Sequence, residues 1–258
     1  MISEVTFARH HDHALEATLF QPVGAGPFPA VVSVHGGAWT SGDRAGTVDL
    51  DMALCDAGVV VLAADFRMPP EAGYPAAVHD VQDAIRWLIA HAPDVKTRPE
   101  SIGIVGSSSG GQTALLCALL PPPDAPLAYV ALCWPISDPP ARYRMAREKR
   151  NEKLVQSHDA YFGDETTMLQ ASPQRIVEAG EARALPPIIT VQGTADENVT
   201  HDMAQRFTDA YKRAGGAGTL HLFDGQPHSF IKKGGDKDAQ EQATRRIVEF
   251  IKAHGASS

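Results

Sequence analysis

The feature that most constrains this chain is a repeated change of hydrophobic period. Near-continuous apolar runs occur at residues 30–34, 59–64, 102–105, 129–132, 188–191 and 220–223. Between them lie longer stretches whose apolar residues recur every three or four positions. Residues 76–90 place Val78, Val81, Ile85, Leu88 and Ile89 on one stripe. Residues 112–120 are almost wholly apolar, and 202–214 and 239–254 are amphipathic. Short runs that are apolar on both faces read as buried strands, and the periodic stretches read as helices. Their alternation predicts an α/β fold, with a mostly parallel central sheet covered by helices on both faces. Residues 15–20 alternate as an edge strand would. With no fixed repeat and no linker, residues 1–258 read as one domain.

One interval breaks the alternation. Between Trp134 and Pro187 the sequence offers no strand. Residues 141–153 read ARYRMAREKRNEK, which suits a helix with a solvated face. The segment 135–185 is therefore expected to be a small lid inserted after a strand. Its apolar residues, among them Met145, Leu154, Val155, Tyr161 and Phe162, are scattered. A charged cover cannot line a long acyl tunnel without burying unpaired arginines. The expected pocket is open, shallow and suited to acyl groups of about two to four carbons.

Composition narrows the partners. The net charge is −8 and the pI is near 5.7, which gives no electrostatic reason to bind nucleic acid or an anionic membrane. The longest clean apolar run, 114–120, is far below the roughly 20 residues that cross a bilayer. The first residues lack a basic segment followed by an apolar one, so a cytoplasmic location is expected. Cys55, Cys117 and Cys133 form no paired spacing and read as buried thiols. Exposed sheet edges leave room for a homodimer.

The chemistry starts at Gly106-Ser107-Ser108-Ser109-Gly110. This G-x-S-x-G follows an apolar strand and opens an apolar helix, the setting in which a sharp turn lifts the central serine out of the sheet. Ser108 is the expected nucleophile. Its base is expected at His228, in a loop beyond the strand at 220–223, where a parallel sheet gathers its site. The carboxylate that orients the base is expected at Asp196, just past the strand at 188–191. Neighbouring Glu197 should point elsewhere, and Asp224 should shape its own turn. His35-Gly36-Gly37-Ala38-Trp39 follows the strand at 30–34. Backbone N–H groups can approach a tetrahedral oxyanion only where no Cβ intervenes, so Gly36 and Gly37 are expected donors, joined by the N–H of Ser109. His35 should anchor the loop. Ala38 and Trp39 are expected to touch substrate.

HGGAW, the DFRMPPEAGYPAAVHDVQDAIRWL block at 65–88, GSSSGG, GTADENV and PHSF together resemble α/β-hydrolase esterases. The nearest likeness is to hormone-sensitive-lipase-like carboxylesterases and bacterial feruloyl or acetyl-xylan esterases. The resemblance runs from about Val31 to Phe250. It implies the α/β-hydrolase fold, a Ser108–Asp196–His228 triad in that chain order, and an oxyanion loop at Gly36 and Gly37. It implies a small-molecule ester substrate, no metal and no cofactor, and a structural role for the 65–88 block. Two departures stand out. Ala38 replaces the third glycine of HGGG, which predicts less room for tertiary alcohols, and Ser107 replaces an acidic residue of the elbow. The function expected is a serine carboxylesterase acting on short-chain or aryl esters. An arylformamidase-like amidase, a feruloyl or acetyl-xylan esterase and a catalytically dead hydrolase-fold binding protein remain as alternatives.

Overall fold

The computed structural model describes residues 1–10, 13–232 and 235–255. Among them, eight strands form one sheet in the order β1-β2-β4-β3-β5-β6-β7-β8. The central strands are β3 (Phe28–Val34), β4 (Val60–Ala64), β5 (Thr97–Ser107), β6 (Val130–Cys133), β7 (Ile188–Gly193) and β8 (Gly218–Phe223). All of these pair in parallel. β1 (Ile2–His10) and β2 (His13–Phe20) are antiparallel additions beside β4.

The apolar runs are continuous because each strand serves two cores. In β3, Ala30, Val32 and Val34 face one cluster, while Val31 faces the other. In β4, Val60, Leu62 and Ala64 divide from Val61 and Ala63 in the same way. Helices α2 (Ala76–Ala90), α3 (Ser109–Leu119) and α8 (His201–Arg213) cover the first face. Helices α1 (Val48–Asp56) and α9 (Lys237–Gly255) cover the second, through Leu50, Leu54, Ala243, Ile247 and Ile251. Both faces of the central strands β3 and β4 are thus covered by helices, as a parallel sheet requires.

Two expectations change. Residues 15–20 lie in the second strand of the sheet, because β1 pairs outside them. β1 escaped notice because it buries little: Ile2 is 59% exposed, and only Phe7 is fully buried. The run 141–153 is two helices instead of one. α4 (Pro139–Glu148) stops before Arg150, which takes a left-handed φ of 53°, and the Asn151 side chain caps α5 (Glu152–Phe162) by accepting from Leu154 N.

The insertion continues through α6 (Glu165–Gln170) and α7 (Pro173–Glu178). Tyr161, Phe162, Met168, Ile176 and Val177 join the main core. The 65–88 block ties to it: Tyr74 N donates to Tyr161 O at 2.8 Å. Within that block Arg67 forks onto buried Asp80, with Nη2 to Oδ1 at 2.6 Å and Nε to Oδ2 at 3.0 Å. The insertion is therefore anchored packing, and only its edge borders the site. Among the described residues, no helix is long and apolar enough to cross a membrane.

Candidate active site

The chain runs from β3 outward to β4, then returns to the other side of β3 as β5. The strand order reverses there, and the loops leaving β3 and β5 diverge around a crevice. Residues 35–42 leave β3, and Ser108 sits at the end of β5. The loops after β7 and β8 reach the same edge and carry Asp196 and His228. All four loops leave the C-terminal ends of parallel strands, so topology alone brings them together.

Ser108 has φ 52° and ψ −118°, a conformation unfavourable for a side chain. The glycines make room for it. A Cβ on Gly110 would collide with the carbonyl oxygens of Val34 and His35, so this position lets the elbow touch the β3 loop. Ser109 is the first residue of α3, where an N–H has no intrahelical acceptor. In the β3 loop, Gly37 has φ 129°, and a Cβ there would run into the Ser41 carbonyl. None of the described hydrogen bonds uses the N–H groups of Gly36, Gly37 or Ser109. His35 is buried, stacks on Phe66 at 4.4 Å and places Nδ1 2.7 Å from Gly36 O. Burial lowers its pKa, which suits a neutral anchor.

Asp196 is fixed by four donors. Its Oδ1 accepts from Asn198 N and Val199 N, both at 2.9 Å. Its Oδ2 accepts from Gln192 Nε2 at 3.1 Å and pairs with His228 Nδ1 at 2.7 Å. The carboxylate is fully buried, and the imidazole is 18% exposed. This pairing leaves Nε2 as the free face of the ring. Trp134 meets that ring edge-on at 6.0 Å. Among the described hydrogen bonds, none joins Ser108 Oγ to His228, but both residues line one cavity of about 460 Å³. Such contacts often tighten only when substrate binds. Glu197 is exposed, and Asp224 Oδ1 accepts from Thr194 Oγ1 at 3.1 Å, which ties the β8 loop to the β7 loop away from His228.

Gly36, Gly37, Ala38, Ser107, Ser108 and His228 all border the cavity. Trp39 does not, and the expectation that it touches substrate is withdrawn. Its indole is 1% exposed, Nε1 donates to Gln112 Oε1 at 3.0 Å, and its ring stacks on Tyr161 at 5.4 Å. The cause is backbone geometry: Ala38 and Trp39 both take left-handed φ values, 51° and 63°, which turn the indole into the core.

Sequence reasoning missed Arg142. It lies on α4, lines the cavity and is 2% exposed. Nε donates to Asn198 O at 3.1 Å, the guanidinium lies 5.9 Å from the Trp39 ring, and Nη1 has no partner. Burial lowers its pKa to about 10, so it is still cationic at neutral pH. Nothing in the charged run at 141–153 distinguishes this arginine from Arg144, Arg147 or Arg150; only the helix phase does.

Known proteins resemble the whole chain. The ethyl acetate hydrolase of Pseudomonas putida is 23% identical over 270 residues, covering 98% of this chain and 83% of that protein. The carboxylic ester hydrolase LipN of Mycobacterium tuberculosis is 29% identical, over 93% of this chain and 67% of that one. The butyrate-bound structure of Thermogutta terrifontis esterase Est2 superposes with a TM-score of 0.79 at 24% identity, covering 98% and 93%. At that identity the superposition establishes the fold. The model of the family Abhydrolase_3, described by the alpha/beta hydrolase fold, matches residues 31–232. That span runs from β3 through the His228 loop, and the chain therefore belongs to the Abhydrolase_3 family of α/β hydrolases.

Proposed function

We propose that the protein is a serine carboxylesterase that hydrolyses short-chain esters through an acyl-enzyme. The observation that carries this reading is the buried Asp196–His228 pair beside Ser108, in a cavity edged by free backbone N–H groups. Ser108 Oγ attacks the ester carbonyl while His228 Nε2 takes its proton. The Nδ1–H donates to Asp196 Oδ2, which holds the ring orientation and stabilises the imidazolium. The N–H groups of Gly36, Gly37 and Ser109 receive the oxyanion, each worth on the order of 3 kcal/mol in comparable enzymes. His228 then protonates the leaving alcohol, and water repeats the sequence in reverse to release the acid.

The cavity lining supports short acyl groups. Its apolar side chains are Ala38, Trp134 and Leu154, and the rest of the wall is glycine, hydroxyl, amide or charged. A buried methylene contributes about 0.8 kcal/mol, and this wall offers few places to bury one. The carboxylic ester hydrolases among its relatives support the same reaction class.

The test is kcat/KM across nitrophenyl acetate, butyrate, octanoate and palmitate, with Ser108→Ala as control. The expected series peaks at acetate or butyrate, and Ser108→Ala lowers kcat by a factor on the order of 10⁶. A series rising to palmitate contradicts the short-chain reading. Formylated anilines in the same panel separate an amidase, which would use the same groups.

A further inference from the structure

The cavity above Ser108 carries charge of one sign. Arg142, Lys153 and Lys232 line it, and no aspartate or glutamate among the described residues does. This is unexpected in a chain of net charge −8. No ion pair among the described residues neutralises any of the three, although the chain makes many elsewhere, including Arg67–Asp80 and Arg86–Asp124. Buried Asp51 acts electrostatically on Lys232 and buried Asp196 on Arg142, but neither carboxylate lines the cavity.

Arg142 is the centre of this arrangement. An arginine that is 2% exposed normally satisfies its whole fork, because an unpaired buried charge is costly. Here the Nε contact to Asn198 O and the Trp39 face fix the plane of the group, while buried Nη1 is left without a partner. Asn198 N also binds Asp196, so the guanidinium is mounted on the loop that holds the catalytic acid. A rigid, partly unpaired guanidinium on a cavity wall is complementary to a planar carboxylate. The expected cover was one whose arginines all faced water. Its one buried arginine turns instead toward the site.

We propose that the preferred substrate is an ester bearing a free carboxylate, received by Arg142 as the specificity-determining residue, with Lys153 and Lys232 contributing field. This rests on the serine-esterase reading of Ser108. It adds the substrate class: half-esters of dicarboxylic acids, or esters of hydroxy acids, according to which side of the ester carries the charge.

The experiment uses two matched pairs in which an isopropyl group replaces the carboxylate at equal shape. Monomethyl succinate is compared with methyl 4-methylpentanoate, and carboxymethyl acetate with 2-methylpropyl acetate, by methanol or acetate release. In at least one pair, kcat/KM should favour the anion by roughly tenfold to a hundredfold, the range expected of a charge-assisted hydrogen bond. Arg142→Met, which keeps the aliphatic stem, should bring that ratio close to one. Lys153→Gln, at an exposed position, should lower it by about twofold to threefold. If Arg142→Met does not fold, the wild-type enzyme still decides. Raising salt from 20 to 500 mM should reduce kcat/KM for the anion and leave the neutral ester unchanged. Equal or better turnover of the neutral member in both pairs overturns the proposal. Hydrolysis of nitrophenyl butyrate separates the two readings. If it occurs without anionic preference, only this inference fails; if it is absent, the esterase reading fails and takes this inference with it.

Discussion

Replacing Trp39 with phenylalanine should damage stability and leave substrate binding almost untouched. Trp39 belongs to the loop after β3 by sequence but to the core by position. Its Nε1–H is the partner of Gln112 Oε1, and Gln112 Nε2 in turn donates to Ala171 O at 2.9 Å. The indole thereby links the β3 loop, α3 and the insertion. A phenyl ring removes the donor and leaves a buried amide oxygen unpaired, at a cost of about 1–3 kcal/mol. The smaller ring also loses packing against Tyr161, Phe162 and Arg142, which adds roughly 1 kcal/mol. The total, roughly 2–4 kcal/mol, lowers Tm by about 5–15 °C in a domain of this size. Calorimetry measures the Tm, and initial rates on nitrophenyl butyrate at 25 °C give KM, which should change by less than about threefold. A double-mutant cycle with Gln112→Met isolates the hydrogen bond and should return a coupling of about 1 kcal/mol or more. An unchanged Tm together with a tenfold rise in KM would refute this reasoning and return Trp39 to the substrate site.

Ala38 sits at φ 51°, where an alanine is strained by about 1–2 kcal/mol. Ala38→Gly should raise Tm by a few degrees and improve turnover of tert-butyl acetate relative to ethyl acetate; a drop in Tm would show that the side chain is needed there. Burial, with Arg142 nearby, pushes the His158 imidazole down to about 4. Between the ordinary value of about 6.5 and that value the unfolded chain binds the extra proton, so stability is fully present above pH 6.5 and falls as pH drops toward 4, by roughly 3 kcal/mol in all. Tm measured from pH 4.5 to 7.5 should show this acid limb, and His158→Phe should flatten it; equal slopes in the two proteins would count against it. Asp196→Asn should lower kcat by a factor on the order of 10⁴ by favouring the wrong tautomer, with Asp224→Asn and Glu197→Gln near wild type. If Asp224→Asn is the crippling change, the acid has been misassigned.

Much of the fold was legible because a doubly covered parallel sheet writes itself into sequence as apolar runs. The runs at 30–34 and 59–64 carry both faces of their strands, and the stripe at 76–90 is α2 to the residue. The elements that stayed hidden bury little. β1 is an edge strand with exposed alternate residues, and α1 inserts mainly Leu50 and Leu54 into the core. Ser108, Asp196, His228, Gly36 and Gly37 could be nominated because each follows a recognisable strand, and loops at that sheet edge converge. Trp39 and Arg142 could not be placed in the same way. Whether each faces core or cavity depends on two left-handed residues at 38 and 39 and on the phase of a highly charged helix, and neither leaves a pattern in composition or spacing.

The central claim is that Ser108 is the nucleophile of the proposed esterase, which an organophosphate that mimics the tetrahedral intermediate should label. Incubation with diethyl 4-nitrophenyl phosphate, followed by intact-mass and peptide analysis, tests it directly. One diethylphosphoryl group per chain is expected, on the peptide containing Ser108, with loss of ester hydrolysis in step with labelling. Ser108→Ala should form no adduct. Labelling at Ser107 or Ser109, or ester hydrolysis that persists in Ser108→Ala, would contradict it.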